Sequence, residues 1–493
     1  MKIPHTATTL LVILSLSNAE GVNSLNGNFV WFSDVHYDAY YGTPLAKVHM
    51  TGAPCNLGDE SPVYSAYGCG TSLALLESTI SRASKAVKDD LGLNRPDFIL
   101  YTGDSTRHSS DGLPLPITEV VENAYNTTVH LFEKNFPDVP VVQLPAPDLG
   151  NNDLPGHYEL EVTSSDPCFP QADGSPPPAT NQFLIDMATW NKNLFVDEME
   201  EGVFACGGYV NRQVLPNLNI ISLNTVLYSL YLAPEYNGTD PFGQFAWLKA
   251  QLENARSNET KVYITGHIPG MLQSYTGSLG EPLVKTEYHV QYTNLVLEYQ
   301  DVIAAQLFGH VHSNEIRALE GFPDDAPPMI VSGSIAPGYT TTPFFSIVSY
   351  DFEETMHPKD LVTFNLDLAK YNQTKIIIPE SDIWERMFDS LTSHLGMKAL
   401  TNSETRKLAS RFVSGEGSIE FDAYFNKWYK GLPQTDCTSS DCIFKEACLV
   451  ACGSTTSQWQ SCLEGNPHGL CGLEGIEDNG GARHLRGSSS RWQ

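Results

Sequence analysis

Short runs of apolar residues recur along most of the chain, and each run ends in a cluster of polar residues. The runs lie at 28–33, 97–101, 139–144, 218–223, 261–265, 302–308 and 328–332. A continuous apolar run of this length is typical of a β-strand that is buried on both faces of its sheet. The pattern therefore predicts a series of buried strands.

Between these runs, apolar residues follow a helical period. The segment "TSLALLESTISRASKAVKDD" (71–90) and the segment "GQFAWLKAQLENAR" (243–256) both show this spacing. Strands that alternate with helices indicate an α/β layered domain. The pattern alone favours an open sheet with helices on its faces, over about residues 25–375.

The pattern after residue 375 becomes helical, with predicted helices in 381–396, 401–413 and 419–431. Thr401 and Glu404 are spaced as a capping box at the start of the second helix. Cysteines cluster in the segment that follows. We expect a helical, Cys-rich C-terminal subdomain over 376–472 and a disordered tail over 473–493.

The first 19 residues have the features of a signal peptide. Lys2 precedes an apolar run, Leu10–Leu16, and small residues follow up to a cleavage site near Ala19. The apolar run is too short to cross a bilayer, and no later run is long and apolar enough to do so. We therefore expect a protein of the extracellular space or of the lysosomal or vacuolar lumen, with no transmembrane segment.

Secretion changes how the ten cysteines are interpreted, because an even number in an oxidising compartment indicates disulfides. Cys55–Cys69 and Cys168–Cys206 are plausible pairs among the early cysteines. The late cysteines, which allow 15 pairings, are Cys437, Cys442, Cys448, Cys452, Cys462 and Cys471. N-glycosylation is expected at the sequons, which are at Asn126, Asn237, Asn258 and Asn372.

The net charge is −29, from 29 basic and 58 acidic residues. This balance disfavours nucleic acid and anionic membranes as partners, because neither meets a broad basic surface. An anionic substrate would need a local positive centre, which a bound metal ion can supply. We expect a monomer.

Polar side chains with metal-ligand chemistry follow the predicted strands. In open α/β sheets, chemistry collects in the loops beyond the carboxyl ends of strands. The candidates at these ends are Asp34, His36, Asp104, His108, Asn151, His267, His310 and His312. Asp-x-His and His-x-His place alternate side chains on one side, and a glycine precedes four of the candidate loops. Such donors suit two borderline divalent metal ions that share a carboxylate.

The order of these blocks, DxH…GD…GN…GH…GHxH, resembles the signature of the calcineurin-like metallophosphoesterases. The flanking sequences "FSDVHYD", "YTGDSTRH", "DPFGQFAWLKAQL", "TGHIPG" and "YQDVIAAQLFGHVHSNE" narrow the resemblance to acid sphingomyelinase-like phosphodiesterases. The similarity covers roughly residues 28–465, with a looser match in the Cys-rich C-terminus.

The resemblance implies a central β-sandwich flanked by helices, rather than an open sheet. It implies two metal ions, expected to be zinc, and hydrolysis by a water that they activate. One ion would be held by Asp34, His36, Asp104 and His312. The other would be held by Asp104, Asn151, His267 and His310.

The third block departs from the family pattern. Most members read Gly-Asn-His-Asp or Gly-Asn-His-Glu, and that histidine is a proposed acid, whereas this chain has Asn152, whose amide cannot donate a proton usefully. His108 matches a second family histidine that faces the leaving group, so we expect it to act as the acid. His157 is a weaker substitute, expected past the turn, and Asp153 is expected to hold the turn rather than to touch metal.

Three functions follow from these residues. The first is a secreted or lysosomal-type phosphodiesterase that acts on a small or nucleotide-like phosphodiester. The second is an endopolyphosphatase, because Gly-Asn-Asn-Asp resembles those enzymes and a phosphate leaving group needs little acid help. The third is a non-catalytic, metal-binding glycoprotein, which the missing histidine would explain.

Overall fold

The computed structural model describes residues 26–464 except for positions 111, 138, 140, 143–147, 275–277, 340, 372–382, 414–417 and 432–436. The predicted signal peptide, the sequon at Asn372, Cys471 and the predicted disordered tail lie outside the described residues.

Two six-stranded sheets form the centre of the described fold. The strands are β1 (Asn26–Phe32), β2 (Phe98–Tyr101), β3 (Val141–Val142), β4 (Val210–Leu215), β5 (Leu218–Leu223), β6 (Lys261–Gly266), β7 (Ile303–Phe308), β8 (Glu315–Arg317), β9 (Met329–Val331), β10 (Phe344–Asp351), β11 (Pro358–Leu366) and β12 (Trp384–Arg386). Their spatial orders are β12-β11-β10-β1-β2-β3 and β4-β5-β6-β7-β9-β8.

Helices cover the outer faces of both sheets. They are α1 (Leu73–Lys85), α2 (Ile117–Asn135), α3 (Gln182–Trp190), α4 (Glu198–Gly207), α5 (Gln244–Ser257), α6 (Thr286–Glu298), α7 (Leu368–Tyr371), α8 (Leu391–His394), α9 (Asn402–Val413), α10 (Ser418–Phe421), α11 (Ser440–Cys452) and α12 (Thr456–Leu463). A π-helical segment, Asp422–Tyr429, continues α10.

The two sheets pack face to face, and this explains the continuous apolar runs. Phe29 and Trp31 of β1 are buried in one core cluster with Tyr263 of the second sheet. Val30 and Phe32 face the other way, into a cluster that includes residues of α1 and α2. Every position from Phe29 to Phe32 is therefore buried, so alternation is lost there.

The open sheet that the pattern favours is wrong, and the sandwich implied by the resemblance is confirmed. The predicted strands all fall in the structure, but β1, β2 and β3 belong to one sheet and β5, β6, β7 and β9 to the other. A strand that is buried on both faces shows the same continuous apolar run whether its second face packs on helices or on another sheet. The pattern therefore could not distinguish the two architectures.

The predicted helix in 381–396 is also wrong where the structure describes it. Trp384–Arg386 forms β12, which pairs antiparallel with β11, and a single helical turn, Leu391–His394, follows it. Trp384 is buried and its indole N–H donates to Ser78 of α1 (2.9 Å), so packing on the helix layer decides this segment.

Half of the predicted capping box is present. The Thr401 hydroxyl accepts from the Glu404 backbone N–H (3.3 Å), as a cap at the start of α9 should. The Glu404 carboxylate accepts instead from the Lys398 backbone N–H (3.0 Å) and pairs with Lys407.

The C-terminal helices are tied to the loop that follows His312. The Asn314 backbone N–H donates to the carbonyl of Tyr429 (2.8 Å), and its side-chain amide donates to the carbonyl of Trp428 (2.9 Å). The Ala318 N–H donates to the carbonyl of Val450 (2.9 Å). Buried residues of these helices and of both sheets form one core cluster, so the C-terminal region packs as part of the same fold.

Disulfides join segments that the fold brings together. Cys55 pairs with Cys69 and Cys168 with Cys206, as predicted. Cys448–Cys462 links α11 to α12. Cys437 pairs with Cys442, and Cys452 is also disulfide-bonded.

The side chains of the described sequons are all exposed, at Asn126, Asn237 and Asn258. Among the residues described, every helix is too short or too polar to span a lipid bilayer.

Candidate metal centre

The strand exits converge as the sequence predicts. The side chains come from the residues after β1, β2, β6 and β7 and from the loop after β3. Backbone torsions there are unusual, because φ is positive at Asp34 (49°), His36 (43°), Asp104 (57°), His310 (76°) and His312 (58°). Non-glycine residues avoid this region unless the surrounding packing enforces it, and such residues cluster at functional sites.

Two glycines allow the loops to approach each other. A Cβ on Gly150 would lie 1.9 Å from Oδ1 of Asp104, and a Cβ on Gly103 would lie 2.1 Å from the carbonyl oxygen of Asp148. Gly103 also has φ of +89°. The glycines before the predicted ligands are therefore required by close contact, in addition to the turn.

A line of hydrogen bonds fixes Asp34. The Trp31 indole N–H donates to the Thr102 hydroxyl (3.1 Å). The Thr102 hydroxyl donates to Ser33 Oγ (2.7 Å), and the Ser33 hydroxyl donates to Asp34 Oδ2 (2.5 Å). The His310 backbone N–H donates to the same oxygen (3.0 Å). The other oxygen, Oδ1, is buried and has no hydrogen-bond partner among the described residues.

Backbone carbonyls set the tautomers of two histidines. His36 Nδ1 lies 3.0 Å from the carbonyl oxygen of Thr106, and His267 Nδ1 lies 2.7 Å from that of Thr102. A carbonyl can only accept, so each Nδ1 carries a proton and each Nε2 is the nitrogen that faces the centre.

Asp104 lies between these two histidines. Its Oδ2 is 3.4 Å from His36 Nε2 and 3.2 Å from His267 Nε2. Asp34 Oδ1 is 3.4 Å from His312 Nε2 and 3.7 Å from His36 Nε2. The carboxylate of Asp104 is thus placed to serve both halves of the site.

The site favours positive charge strongly. Burial works to raise the pKa of Asp34, but His312 and His267 lower that pKa to about 2. Burial would likewise lower the pKa of His267, but Asp104 and Asp34 raise it to about 10. Burial lowers the pKa of His310 and of His312 to about 3. The two buried carboxylates therefore favour positive charge beside them, and burial favours the neutral form of His310 and His312, which is the form that binds a metal ion.

The donors fit a binuclear metal site. Two groups of three side chains each offer one ligand atom within 4.8 Å of the others: Asp34, Asp104 and His267, and His36, His108 and His312. Asn151 Oδ1 and Asp34 Oδ1 are buried without a hydrogen-bond partner among the described residues. Such orphaned oxygens beside neutral imidazoles match the N/O ligation that zinc and similar ions prefer.

The loop 150–153 is organised by Asp153. Its Oδ2 accepts from the backbone N–H groups of Asp104 (2.9 Å) and Gly150 (3.1 Å) and from the Tyr125 hydroxyl (3.1 Å). Its Oδ1 accepts from the Thr106 N–H (2.9 Å). Asp153 holds the turn, as predicted, and it also joins the turn to the Asp104 loop.

His157 lies nearer the centre than predicted. Its Nε2 is 2.9 Å from Nδ2 of Asn151, so it orients the Asn151 amide with the oxygen free. The sequence predicts His157 past the turn, six positions after Asn151. The tight turn at 150–153 brings the two side chains back together.

His108 lies against the predicted ligands. Its ring stacks on His36 with a centroid distance of 3.6 Å, and its Nδ1 is buried without a partner among the described residues. Burial and the neighbouring His36 and His312 hold the pKa of His108 well below its usual value. The neutral imidazole can donate one N–H to a bound group.

Sequence reasoning missed the walls of the site. A pocket of about 360 Å³ opens over Asp104, Asn151 and His310, and aromatic side chains line it at Tyr158, Tyr231 and Tyr339. A second pocket of about 470 Å³ adjoins it and contains Lys47 and Arg107. No strand-end signal marks these residues, because their loops are placed by tertiary packing.

Comparison with known proteins gives related hydrolases. No family model matches the chain. "Sphingomyelinase phosphodiesterase D" of Dictyostelium discoideum is 31% identical over 375 residues, which are 69% of this chain and 76% of that protein. The human "Cyclic GMP-AMP phosphodiesterase SMPDL3A" is 26% identical over 440 residues, 86% and 87% of the two chains.

A further relative has a different substrate in its name. The "Endopolyphosphatase" of Schizosaccharomyces pombe is 29% identical over 323 residues, which are 62% of this chain but 50% of that protein. Among solved structures, a dimetal phosphatase from Danio rerio covers 69% of this chain and 95% of its own, with 12% identity and a TM-score of 0.38.

Proposed function

Because the chain belongs to the acid sphingomyelinase-like phosphodiesterases of the calcineurin-like metallophosphoesterase superfamily, we propose that it is a zinc-dependent phosphodiesterase of the extracellular space or lysosomal lumen. The chain is a metal-dependent phosphoesterase, and its clustered histidine and aspartate side chains support a binuclear metal centre. The observation that carries the proposal is the set of buried donor atoms without partners near Asp104, which are Asp34 Oδ1 and Asn151 Oδ1.

The proposal divides the ligands between two ions. Asp34, His36 and His312 would hold one ion, and Asn151, His267 and His310 the other, with Asp104 shared. When bound, two divalent cations neutralise phosphoryl oxygens and lower the pKa of a water molecule that can attack phosphorus.

The side chains around the ions have separate tasks in this proposal. The carbonyls of Thr102 and Thr106 keep the protons of His267 and His36 on Nδ1, away from the centre. Asp153 keeps the Asp104 and Asn151 loops in register. His108 donates a ring N–H to the oxygen that leaves, because it lines both pockets beside the centre.

One experiment tests the function directly. The purified, secreted protein should contain two equivalents of zinc and should hydrolyse bis(p-nitrophenyl) phosphate at some pH between acidic and neutral. Dialysis against a chelator should abolish the activity, and zinc should restore it. A protein that binds zinc but cleaves no phosphodiester would instead support a non-catalytic, metal-binding glycoprotein.

An endopolyphosphatase is the second candidate, and Asn152 favours it. The Asn152 amide donates to Asp104, so the position of the usual family histidine holds no proton donor for a leaving group. A phosphate leaves with little need of a proton, which suits such a site. Chain-length analysis of polyphosphate digests decides between the candidates, since unchanged chains exclude the second.

A further inference from the structure

A two-stranded ribbon forms one wall of the pocket over the metal ligands. Its strands, residues 271–273 and 281–283, are joined by backbone hydrogen bonds of 2.8 Å and 3.2 Å. We call these two strands together with Ser274 the ribbon. Gln273 and Leu283 of the ribbon line the pocket of about 360 Å³. A molecule that enters this pocket therefore lies against the ribbon.

A single carboxylate joins the ribbon to residues 310–313, which we call the ligand loop because they include two proposed metal ligands. Glu315 Oε1 accepts from the hydroxyl of Ser274 in the ribbon (2.5 Å) and from the hydroxyl of Ser313 at the end of the ligand loop (2.9 Å). Its Oε2 pairs with Arg317. Glu315 is fully buried, so water does not compete for these bonds. Hydrogen bonds to an ionised group belong to the stronger class.

The C-terminal region contacts the ribbon at the same place. The Tyr429 hydroxyl lies 2.9 Å from the hydroxyl of Ser274. The backbone N–H of Leu272 donates to the carbonyl of Gly453 (3.0 Å). These contacts fix the outer side of the ribbon. Glu315 therefore lies where the ribbon, the ligand loop and the C-terminal region meet.

The two serine hydroxyls reach Glu315 from segments with different tasks. Ser313 directly follows His312, which is proposed to hold one metal ion. Ser274 directly follows Gln273, which lines the pocket. Both serines are buried, and neither is a proposed metal ligand. Each serine can therefore act on the reaction only by placing the segment to which it belongs.

We propose that Glu315 is a positioning residue that couples these two segments. Through Ser274 it places the ribbon against the substrate, and through Ser313 it places the ligand loop against the metal ions. One carboxylate thereby sets the separation between the substrate wall and the metal centre. This inference rests on the proposed function, since it concerns the same site. Its consequence is that the two buried hydroxyls contribute to different kinetic quantities.

The test removes one hydroxyl at a time from the full-length, zinc-loaded protein. Ser274→Ala should raise KM for bis(p-nitrophenyl) phosphate by roughly tenfold, since the ribbon loses a hydrogen bond to a charged group. The kcat and the zinc affinity of this variant should stay close to the native values. Ser313→Ala should instead lower the zinc affinity by roughly tenfold and leave KM of the zinc-saturated protein unchanged. Competition with a chromogenic chelator measures the zinc affinity.

The matched control makes the same chemical change on the surface of α5. Ser257→Ala removes an exposed hydroxyl that donates to the carbonyl of Glu253 within the helix (2.8 Å). This variant should change neither KM nor the zinc affinity. Losses in Ser257→Ala that equal those of the test variants would assign the effects to a general weakening of the fold and would overturn the positioning role.

The double variant Ser274→Ala/Ser313→Ala tests the coupling through Glu315. Either single variant leaves Oε1 with one hydroxyl donor, whereas the double variant removes both from this buried oxygen. At a fixed concentration of free zinc, kcat/KM of the double variant should fall roughly threefold or more below the product of the two single effects, as for residues of one hydrogen-bond network. Effects that simply multiply would show that the two serines act independently and would overturn the coupling.

The outcomes separate this proposal from the proposed function. An unchanged KM in Ser274→Ala, or a loss of zinc affinity there instead, would overturn the role of Glu315 while the phosphodiesterase stands. If the protein cleaves no phosphodiester, the Kd of intact bis(p-nitrophenyl) phosphate, measured by calorimetry, replaces KM and the same contrasts decide. The variants leave Glu315 itself in place, because its replacement would remove the ion-pair partner of the buried Arg317.

Discussion

Asn152 donates to both carboxylate oxygens of Asp104, through its backbone N–H to Oδ1 (2.9 Å) and through its side-chain amide to Oδ2 (2.8 Å). Asp104 is the side chain placed to be shared by the two proposed ions. Asn152 therefore orients the shared ligand Asp104 through two hydrogen bonds. It also lines the pocket over the metal centre.

Replacing Asn152 by Ala should weaken metal binding. The variant keeps the backbone donor but loses the amide that orients Asp104, and the loss of such a partner typically costs about tenfold in metal affinity or more. Competition with a chromogenic zinc chelator measures this. Asn254→Ala, an exposed residue of α5, serves as the control. Unaltered zinc affinity in Asn152→Ala would show that the hydrogen bond has no effect on the ligand.

Replacing His108 by Ala should lower turnover most for substrates whose leaving group is poor. If His108 donates to the leaving oxygen, the loss should be roughly a hundredfold for an alkyl leaving group and much smaller for p-nitrophenolate. Turnover of the two substrates gives the comparison, and the exposed His130→Ala is the matched control.

Zinc content distinguishes this role from metal ligation. His108 lies as close to His36 and His312 as a ligand would. If His108→Ala retained only one zinc per chain, His108 would be a ligand and its assignment to the leaving group would fail. Equal losses on both substrates with full zinc would reject the proton-donor role.

Replacing Gly150 by Ala should disrupt the centre. The new Cβ would lie 1.9 Å from Oδ1 of Asp104, so the loop or the carboxylate must move. We expect a loss of zinc binding and of about 2 kcal/mol of stability, as for other overpacked sites. Gly174→Ala is a contrast, because Gly174 has positive φ but no atom near a new Cβ, and it should retain zinc. Thermal unfolding and metal analysis on both variants test the contact.

Replacing Glu446 by Gln should stabilise the protein at neutral pH only. Glu446 of α11 is buried near Arg317, Glu315 and Lys430, and burial raises its pKa from 4.5 to about 8. Below pH 4.5 the Glu446 carboxyl is protonated in both the folded and the unfolded state, so the substitution should not change stability there. As pH rises, the unfolded state ionises first, and the native protein loses stability relative to the variant, by on the order of 3 kcal/mol at pH 7.

Unfolding by denaturant at acidic and neutral pH measures this effect. Glu404→Gln should behave in the opposite way, because Lys407 outweighs burial and lowers the pKa of Glu404. The ionised Glu404 carboxylate stabilises the folded state above that pKa. The Glu404→Gln variant should therefore have a lower free energy of unfolding than the native protein at neutral pH. A Glu446→Gln advantage that is equal at both pH values would contradict the buried, neutral carboxyl.

The strand ends were predictable because two signals coincide there. Apolar runs such as 97–101 are continuous, since both faces of the strand are covered, and the residues after them are glycine followed by a metal-ligand type. The left-handed backbone of Asp104 and of His310 could not be predicted from residue type, because neither is a glycine. Packing and hydrogen bonds from other loops impose it.

The remaining features depend on contacts far apart in the chain. Lys47 lines the second pocket beside the metal centre because its backbone N–H and the side chain of Arg107, sixty-nine residues after Asp38, both donate to the Asp38 carboxylate. Trp384 forms a strand because it reaches Ser78 of α1. Such pairs leave no periodic trace in the sequence, so local pattern reasoning could not find them.

The hydrogen bonds from Asn314 to Tyr429 and Trp428 have a consequence for the order of assembly. Asp34 is synthesised early. The loop of His310 and His312, however, can form its hydrogen bonds to Trp428 and Tyr429 only after the residues beyond 420 have been synthesised. A chain that ends before residue 420 would therefore lack the partners of Asn314, although it contains every proposed ligand. The last helices thus support a metal site to which they contribute no ligand.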